Sequence, residues 1–173
     1  DILVRNMNKI GFRDFNMPAP LILPTKIVFG WSKPRIKILG ADFSGTVAAV
    51  GDAVKRFIVG DAVFGYIGQT MGANAEYICV KENSIIEHKP QNMPHEEAVM
   101  LPYGATMAVP ILKKAHIRSG QRVLINGASG GIGSVALQIA KNTGAEVTGV
   151  CGTNRIDFVK KLGADHVIDY KNE

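Results

Sequence analysis

Between Val123 and Gly133 the chain reads Val-Leu-Ile-Asn-Gly-Ala-Ser-Gly-Gly-Ile-Gly, and the helical run Ser134-Val135-Ala136-Leu137-Gln138-Ile139-Ala140 follows. A buried-type strand, a glycine turn and a helix in that order suit a dinucleotide pyrophosphate. The helix N-terminus offers unpaired N–H groups and the positive end of a dipole. Read as Ala128-x-Gly130-x-x-Gly133, the turn is the dinucleotide fingerprint with alanine at its first glycine. Gly130 would let backbone approach the pyrophosphate, and Gly133 would let helix and strand pack closely. The plainer alternative is a glycine-rich turn that binds nothing; the order of elements around it argues against that. A P-loop is excluded, because no Lys followed by Ser or Thr stands at the required positions.

The type of dinucleotide is written about 20 residues further on, where NAD sites carry an Asp or Glu for the ribose hydroxyls. Here that place is Gly152, followed by Thr153, Asn154 and Arg155. A guanidinium and two hydrogen-bonding side chains without an acid favour NADP(H), with NAD(H) as the alternative. Gly127-x-x-x-Gly131-Ile132-Gly133 also fits the glycine motif of short-chain dehydrogenases, and Tyr77-x-x-x-Lys81 mimics their catalytic pair. That pair needs a helix, which brings i,i+4 side chains within about 6 Å. The segment Glu76–Val80 reads as a strand and would separate them by about 13 Å. It also precedes the glycine turn, reversing that family's order. His88, His95, His116 and His166 form no recognisable catalytic arrangement.

These residues must be positioned by two kinds of architecture. Up to about residue 90, the runs Ile2–Val4, Phe43–Val50, Ala62–Ile67 and Ala75–Val80 alternate with glycines, as in a β-barrel or sandwich. Residues 15–38, with Pro18, Pro20, Pro24 and Pro34, read as a long irregular loop. From about residue 94 helices alternate with strands, the form of βαβ units and a parallel sheet. A helical turn opens at Pro94, and a helix over Gly104–His116 should be kinked or interrupted by Pro110. Then come strand Arg122–Asn126, helix Gly131–Asn142, strand Glu146–Cys151, helix Arg155–Leu162 and strand His166–Asp169.

Composition excludes several classes. The 173 residues are 46% hydrophobic and 20% charged, a globular composition. No apolar run approaches the roughly 18 residues of a membrane span, and no signal pattern opens the chain. Cys79 and Cys151 form neither a disulfide framework nor a CxxC pair. A soluble, cytoplasmic protein is the expectation. The net charge of +5 comes mostly from residues 1–50, with seven Lys/Arg against three Asp/Glu, and no basic stripe suggests nucleic acid. The chain opens at Asp1 without a Met, and the expectation is that it starts inside a longer protein, its length then bounding a fragment only.

Several further motifs carry a resemblance. They are Gly40-x-Asp42-x-x-Gly45 through Val50-Gly51, Phe57-x-Val59-Gly60-Asp61-x-Val63-Phe64-Gly65, Ala75-Glu76-Tyr77 and Pro102 to Thr106. The glycine turn and Leu162-Gly163-Ala164-Asp165 before Val167-Ile168-Asp169-Tyr170 complete them. The chain resembles the medium-chain dehydrogenase/reductase superfamily, in its zinc-independent quinone-oxidoreductase-like branch. The resemblance implies a mixed α/β fold: a GroES-like β-barrel catalytic domain over 1–103, and the first half of a Rossmann doubly wound sheet over 104–173. It implies cofactor and substrate in a cleft between the two, and a homodimer of the full-length parent. Relatives have strands before Asp1 and continue after Tyr170, so the order 3-2-1-4-5-6 would keep only 3-2-1, with strand 1 as an edge.

By motif position the resemblance makes Asn8 an active-site residue beside nicotinamide and substrate, and Thr106 a residue at the nicotinamide ring. On composition alone, Asn8 would be a turn residue and Thr106 a helix residue. Ser129, Gly130, Gly131 and Ile132 would meet the pyrophosphate, while Thr153, Asn154, Arg155 and Tyr170 would surround the adenosine 2′-phosphate. Zinc relatives have a His before the acidic residue of the first motif and a Cys near the chain start. This sequence has Ala41, no Cys before Cys79 and no four-cysteine lobe, so neither zinc is expected. Gly11 stands where an Asp usually follows the Asn motif, and Pro110 interrupts a helix that relatives keep continuous. The expected activity is NADPH-dependent hydride transfer to a quinone or an α,β-unsaturated or other small carbonyl compound. A non-catalytic truncated fragment and a zinc-type alcohol dehydrogenase relative are the competing readings.

Overall fold

The computed structural model describes residues 2–6 and 37–172, and the chain divides into two compact units, Asp1–Val99 and Met100–Glu173. In the first unit β1 (Ile2–Asn6), β2 (Asp42–Val50), β3 (Ala62–Tyr66), β4 (Tyr77–Val80) and β5 (Ile85–His88) form one antiparallel sheet in the order β4-β1-β2-β3-β5. Its inward positions supply Val4, Phe43, Val47, Val63, Ile78, Val80 and Ile86 to one core, which Phe57 completes. Gly65 is required by that core: a Cβ there would lie 2.3 Å from the Ile85 carbonyl oxygen and 2.6 Å from Cζ of Phe43. The short helix α1 (His95–Ala98) closes the unit.

The two edge strands β4 and β5 are consecutive in sequence, joined through Lys81–Ser84, where the Ser84 N–H donates to the Lys81 carbonyl at 3.0 Å. A flat sheet of five strands would hold its edges about 19 Å apart, whereas a hydrogen-bonded turn brings its ends within about 7 Å. The sheet therefore curls until its edges approach, which is how a barrel removes exposed edges. Glu82 pins that turn by accepting from the backbone N–H groups of Lys55 and Arg56.

In the second unit α2 (Leu101–Lys114) precedes β6 (Arg122–Asn126), α3 (Gly131–Asn142), β7 (Glu146–Cys151), α4 (Ile156–Lys161) and β8 (His166–Asp169). The three strands are parallel in the order β6-β7-β8. This is the 1-2-3 half of a Rossmann sheet, with β6 as an edge and Leu124 62% exposed on it. Leu137, Ala140, Val147, Cys151 and Val159 form its core with Ala128 and Ala145. Gly149 lets α4 lie on the sheet, since a Cβ would come within 2.6 Å of Cγ1 of Val159.

Four expectations need correction. Strand β5 escaped the sequence reading because it is four residues long and three of them, Ile85, Glu87 and His88, are exposed; its pairing with β3 makes it a strand. Helix α2 starts at Leu101 rather than Gly104, and ends at Lys114. Pro110 does not interrupt it: the proline lies on the exposed side, where the Thr106 carbonyl left without its N–H partner can be hydrated. The expected helix Arg155–Leu162 is a 3-10 turn at Thr153–Arg155 followed by α4. The proline-rich segment falls almost entirely outside the described residues.

Asp165, in the turn between α4 and β8, accepts from Lys141 Nζ at 2.8 and 2.7 Å and from the Val147 N–H at 2.6 Å. The Lys141 ammonium, then the Val147 N–H, hold its carboxyl below the ordinary range. A carboxyl with a lowered folded-state pKa stabilises the fold fully above its unfolded pKa and loses that contribution as pH falls through the folded value. Asp165→Asn is therefore expected to lower the melting temperature at about pH 7. The gap to the parent should close in acid, below the carboxylate range. Melting curves across that range check it; a gap independent of pH would refute the assignment.

Candidate functional site

Local backbone geometry explains the glycine turn after β6. Gly127 has φ +73°, in the left-handed region that favours glycine. The chain then folds back: the Gly130 N–H donates to the Gly127 carbonyl at 2.9 Å, and Gly130 precedes α3 with φ −82° and ψ 170°. Gly133, one turn into the helix, faces that same carbonyl, and a Cβ there would lie 2.2 Å from it. Glycine at 133 thus lets the helix start sit directly on the turn. No side chain caps the helix, so its first N–H groups stay open to a ligand. Ala128 is fully buried and donates its N–H to the Val150 carbonyl at 3.0 Å, so any part it has in binding is through backbone. On the other side Gly104 of α2 faces the Gly131 carbonyl, where a Cβ would be 2.5 Å away.

A pocket of about 370 Å³ opens beside this turn, beyond the ends of β7 and β8. Gly127, Ser129 and Gly130 line one part of it, and Gly152, Thr153, Asn154 and Arg155 another. Tyr170 and Lys171 complete the wall. Ser129, Gly130, Gly152, Thr153, Asn154, Arg155 and Tyr170, named from the sequence, thus line one pocket, together with Lys171, which the sequence did not single out. The signal was there, a cation directly after Tyr170. Arg155 and Lys171 are the charged residues of the lining, and no carboxylate is among them. Cys151 also lines the pocket, but burial, aided by Asp169, pushes its thiol pKa up, so it stays protonated and unreactive.

Ile132 and Gly133 instead line a larger apolar groove of about 630 Å³ along β6, with Tyr103, Ile111 and Leu124. Thr106 lines neither space; its Oγ1 donates to the Tyr103 carbonyl at 3.0 Å. Asn8 lies outside the described residues. Three of the four histidines have structural partners: His88 stacks on Phe57 with ring centroids 4.9 Å apart, and His166 meets Glu146 at 3.0 Å. His95 Nδ1 is 2.7 Å from Oγ of Ser44, which is fully buried and bonded to the Val63 carbonyl, so this Ser–His pair ties α1 to β2 and offers no nucleophile. Among the described residues no group of His, Cys, Asp or Glu could hold a metal ion. No helix there is long and apolar enough to cross a membrane.

Two family models match in the same order as the two units. Residues 14–91 match the alcohol dehydrogenase GroES-like domain, and residues 131–173 match the family described as zinc-binding dehydrogenase. The chain belongs to the medium-chain dehydrogenase/reductase superfamily, in its quinone-oxidoreductase-like branch. Among its superfamily relatives, the human mitochondrial NAD(P)H oxidoreductase RTN4IP1 is 41% identical over 78% of this chain and 35% of its own. The spinach chloroplastic quinone-oxidoreductase homolog is 43% identical over 78% of this chain and 43% of its own. The Escherichia coli quinone oxidoreductase solved with NADPH superposes with a TM-score of 0.76 at 27% identity, covering 99% of this chain and 51% of that one. The chain thus spans about half or less of the length of the superfamily members it matches.

Proposed function

We propose that this protein is an NADPH-dependent reductase of quinones or other α,β-unsaturated carbonyl compounds, working without zinc. The pocket beyond β7 carries the reading: it has two cations, no lining carboxylate, and a glycine turn whose Cβ-free backbone leaves room for a pyrophosphate. NADPH, when bound, supplies the hydride. The chain's own residues bind and orient. N–H groups at the start of α3 meet the pyrophosphate, with Ser129, Gly130, Gly131 and Ile132 around it. Thr153, Asn154, Arg155 and Tyr170 take the adenosine 2′-phosphate, where a guanidinium suits a phosphate better than the hydroxyls of NADH.

At the reacting end the family resemblance assigns Asn8 and Thr106 to the nicotinamide and substrate. Ala41 and the lack of a cysteine before Cys79 support zinc-free chemistry, in which hydrogen-bond donors polarise the carbonyl. The names of the human, spinach and Escherichia coli relatives support the cofactor and quinone classes. Nicotinamide fluorescence titrations with NADPH and NADH test the assignment. NADPH is expected to bind at least about tenfold tighter, the worth of one charge-assisted contact. Equal or tighter NADH binding would overturn the cofactor, and stoichiometric zinc in the purified protein would overturn the zinc-free chemistry.

A further inference from the structure

Asp169 is the one buried charged side chain among the described residues, 7% exposed at the C-terminal end of β8, where it pairs in register with Cys151 of β7. A buried carboxylate is costly unless donors surround it. Here they come from the turn after β8, which is itself bonded to the turn after β7. Oδ1 accepts the Lys171 N–H at 3.1 Å, and Oδ2 accepts Nδ2 of Asn172 at 2.7 Å, both from the turn after β8. The Thr153 hydroxyl, in the 3-10 turn after β7, helps to hold the charge. Asn172 Nδ2 also reaches Oγ1 of Thr153 at 3.4 Å, so the amide that the carboxylate holds joins the two turns. These donors hold the carboxyl below its ordinary range, Thr153 foremost, and keep it ionised.

The two turns tied by this carboxylate carry the two cations of the pocket, Arg155 and Lys171. The arrangement is otherwise paradoxical, since a negative charge beneath an anion pocket opposes the anion. It makes sense if both oxygens are spent on internal donors and the return is geometric. We propose that Asp169 is a positioning residue, which holds the Thr153–Arg155 turn and Lys171 at the spacing where both cations reach one phosphate, and that Lys171 is the second cation for the adenosine 2′-phosphate. The inference rests on the NADPH reading given above.

The two possible roles of the charge predict opposite signs. A carboxylate acting only as a nearby charge would tighten phosphate binding when neutralised. A positioning carboxylate would weaken it, because Asp169→Asn keeps the size but turns an amide N–H₂ toward existing donors and releases one turn. The test is calorimetric titration of the protein with adenosine 2′,5′-bisphosphate and with adenosine 5′-monophosphate, which differ only in the 2′-phosphate. Asp169→Asn is expected to weaken the 2′,5′-bisphosphate about tenfold, while the 5′-monophosphate changes less than about twofold.

Equal weakening of both probes, tighter binding of the bisphosphate, or no change would overturn the positioning role. Should Asp169→Asn fail to fold, Asn172→Ala cuts the tie between the carboxylate and Thr153 and should weaken only the bisphosphate, while Asn172→Gln, which keeps the amide, should weaken it less. Failure of that pair to differ would overturn the proposal equally. Arg155→Ala and Lys171→Ala separate the two levels of inference. If each weakens the bisphosphate selectively while Asp169→Asn does not, only the positioning role falls. If neither does, the 2′-phosphate reading itself falls, and the role of Asp169 with it.

Discussion

Gly133→Ala is expected to remove dinucleotide binding and to destabilise the second unit together. The new Cβ would stand 2.2 Å from the Gly127 carbonyl oxygen, 2.8 Å from its carbon and 3.0 Å from Cα of Ala128. All three are backbone atoms, with no flexible end to swing away. Either the start of α3 lifts off the turn or the turn opens, an overpacking cost of about 3 kcal/mol. The helix N–H groups shift by the same displacement, and NADPH affinity should fall about 100-fold. Thermal melting and NADPH titration check both effects; a variant with unchanged melting and affinity would refute this account of the turn. Gly131→Ala is the informative contrast. A Cβ there meets no atom within 4 Å and the backbone is not left-handed. Stability should hold or rise by about 0.5 kcal/mol, while NADPH binding weakens about tenfold if the pyrophosphate lies against that residue.

Gly152→Asp should invert the cofactor preference. It puts an acid at the end of β7, where NAD sites hold one. The backbone at Gly152, φ −84° and ψ 158°, accepts any residue, and the nearest atom to a Cβ is the Tyr170 hydroxyl at 3.1 Å. That hydroxyl ends an exposed side chain that can yield. A carboxylate about 5 Å from a phosphate, at an effective dielectric near 20, costs about 3 kcal/mol. NADPH binding should therefore weaken about 100-fold. NADH should hold or gain up to about tenfold through its ribose hydroxyls. Paired titrations read the ratio directly, and a ratio that moves less than about threefold would contradict a 2′-phosphate beside Gly152.

Much of the second unit was legible because its signals are local. β6, α3, β7 and β8 lie where apolar runs and glycines put them, and the helix ends at Gly144 and Gly163 carry the positive φ that a C-terminal glycine supplies. The first unit was less legible. β5 has four residues, two of them charged or ionisable and exposed, so nothing in its own composition separates it from a loop. Its pairing with β3, some 20 residues earlier, makes it a strand. Pro110 misled for a related reason: its effect on α2 depends on whether its side of the helix is wet, and packing decides that.

The candidate site divides along the same line. Gly127, Gly130, Gly133, Gly152 and Arg155 could be read from the chain, because turn chemistry and the offset from strand to strand depend only on neighbours in sequence. Asp169 could not. It stood in view within Val167-Ile168-Asp169-Tyr170, but its surroundings arise where parallel β7 and β8 end side by side and bring the Lys171 N–H and Asn172 to one carboxylate, with Asn172 also bonded to Thr153. Sequence alone determined where the glycine turn and the end of β7 fall. Only the tertiary structure decided which side chains meet there, because strand adjacency brings together residues whose spacing along the chain holds no record of their contact.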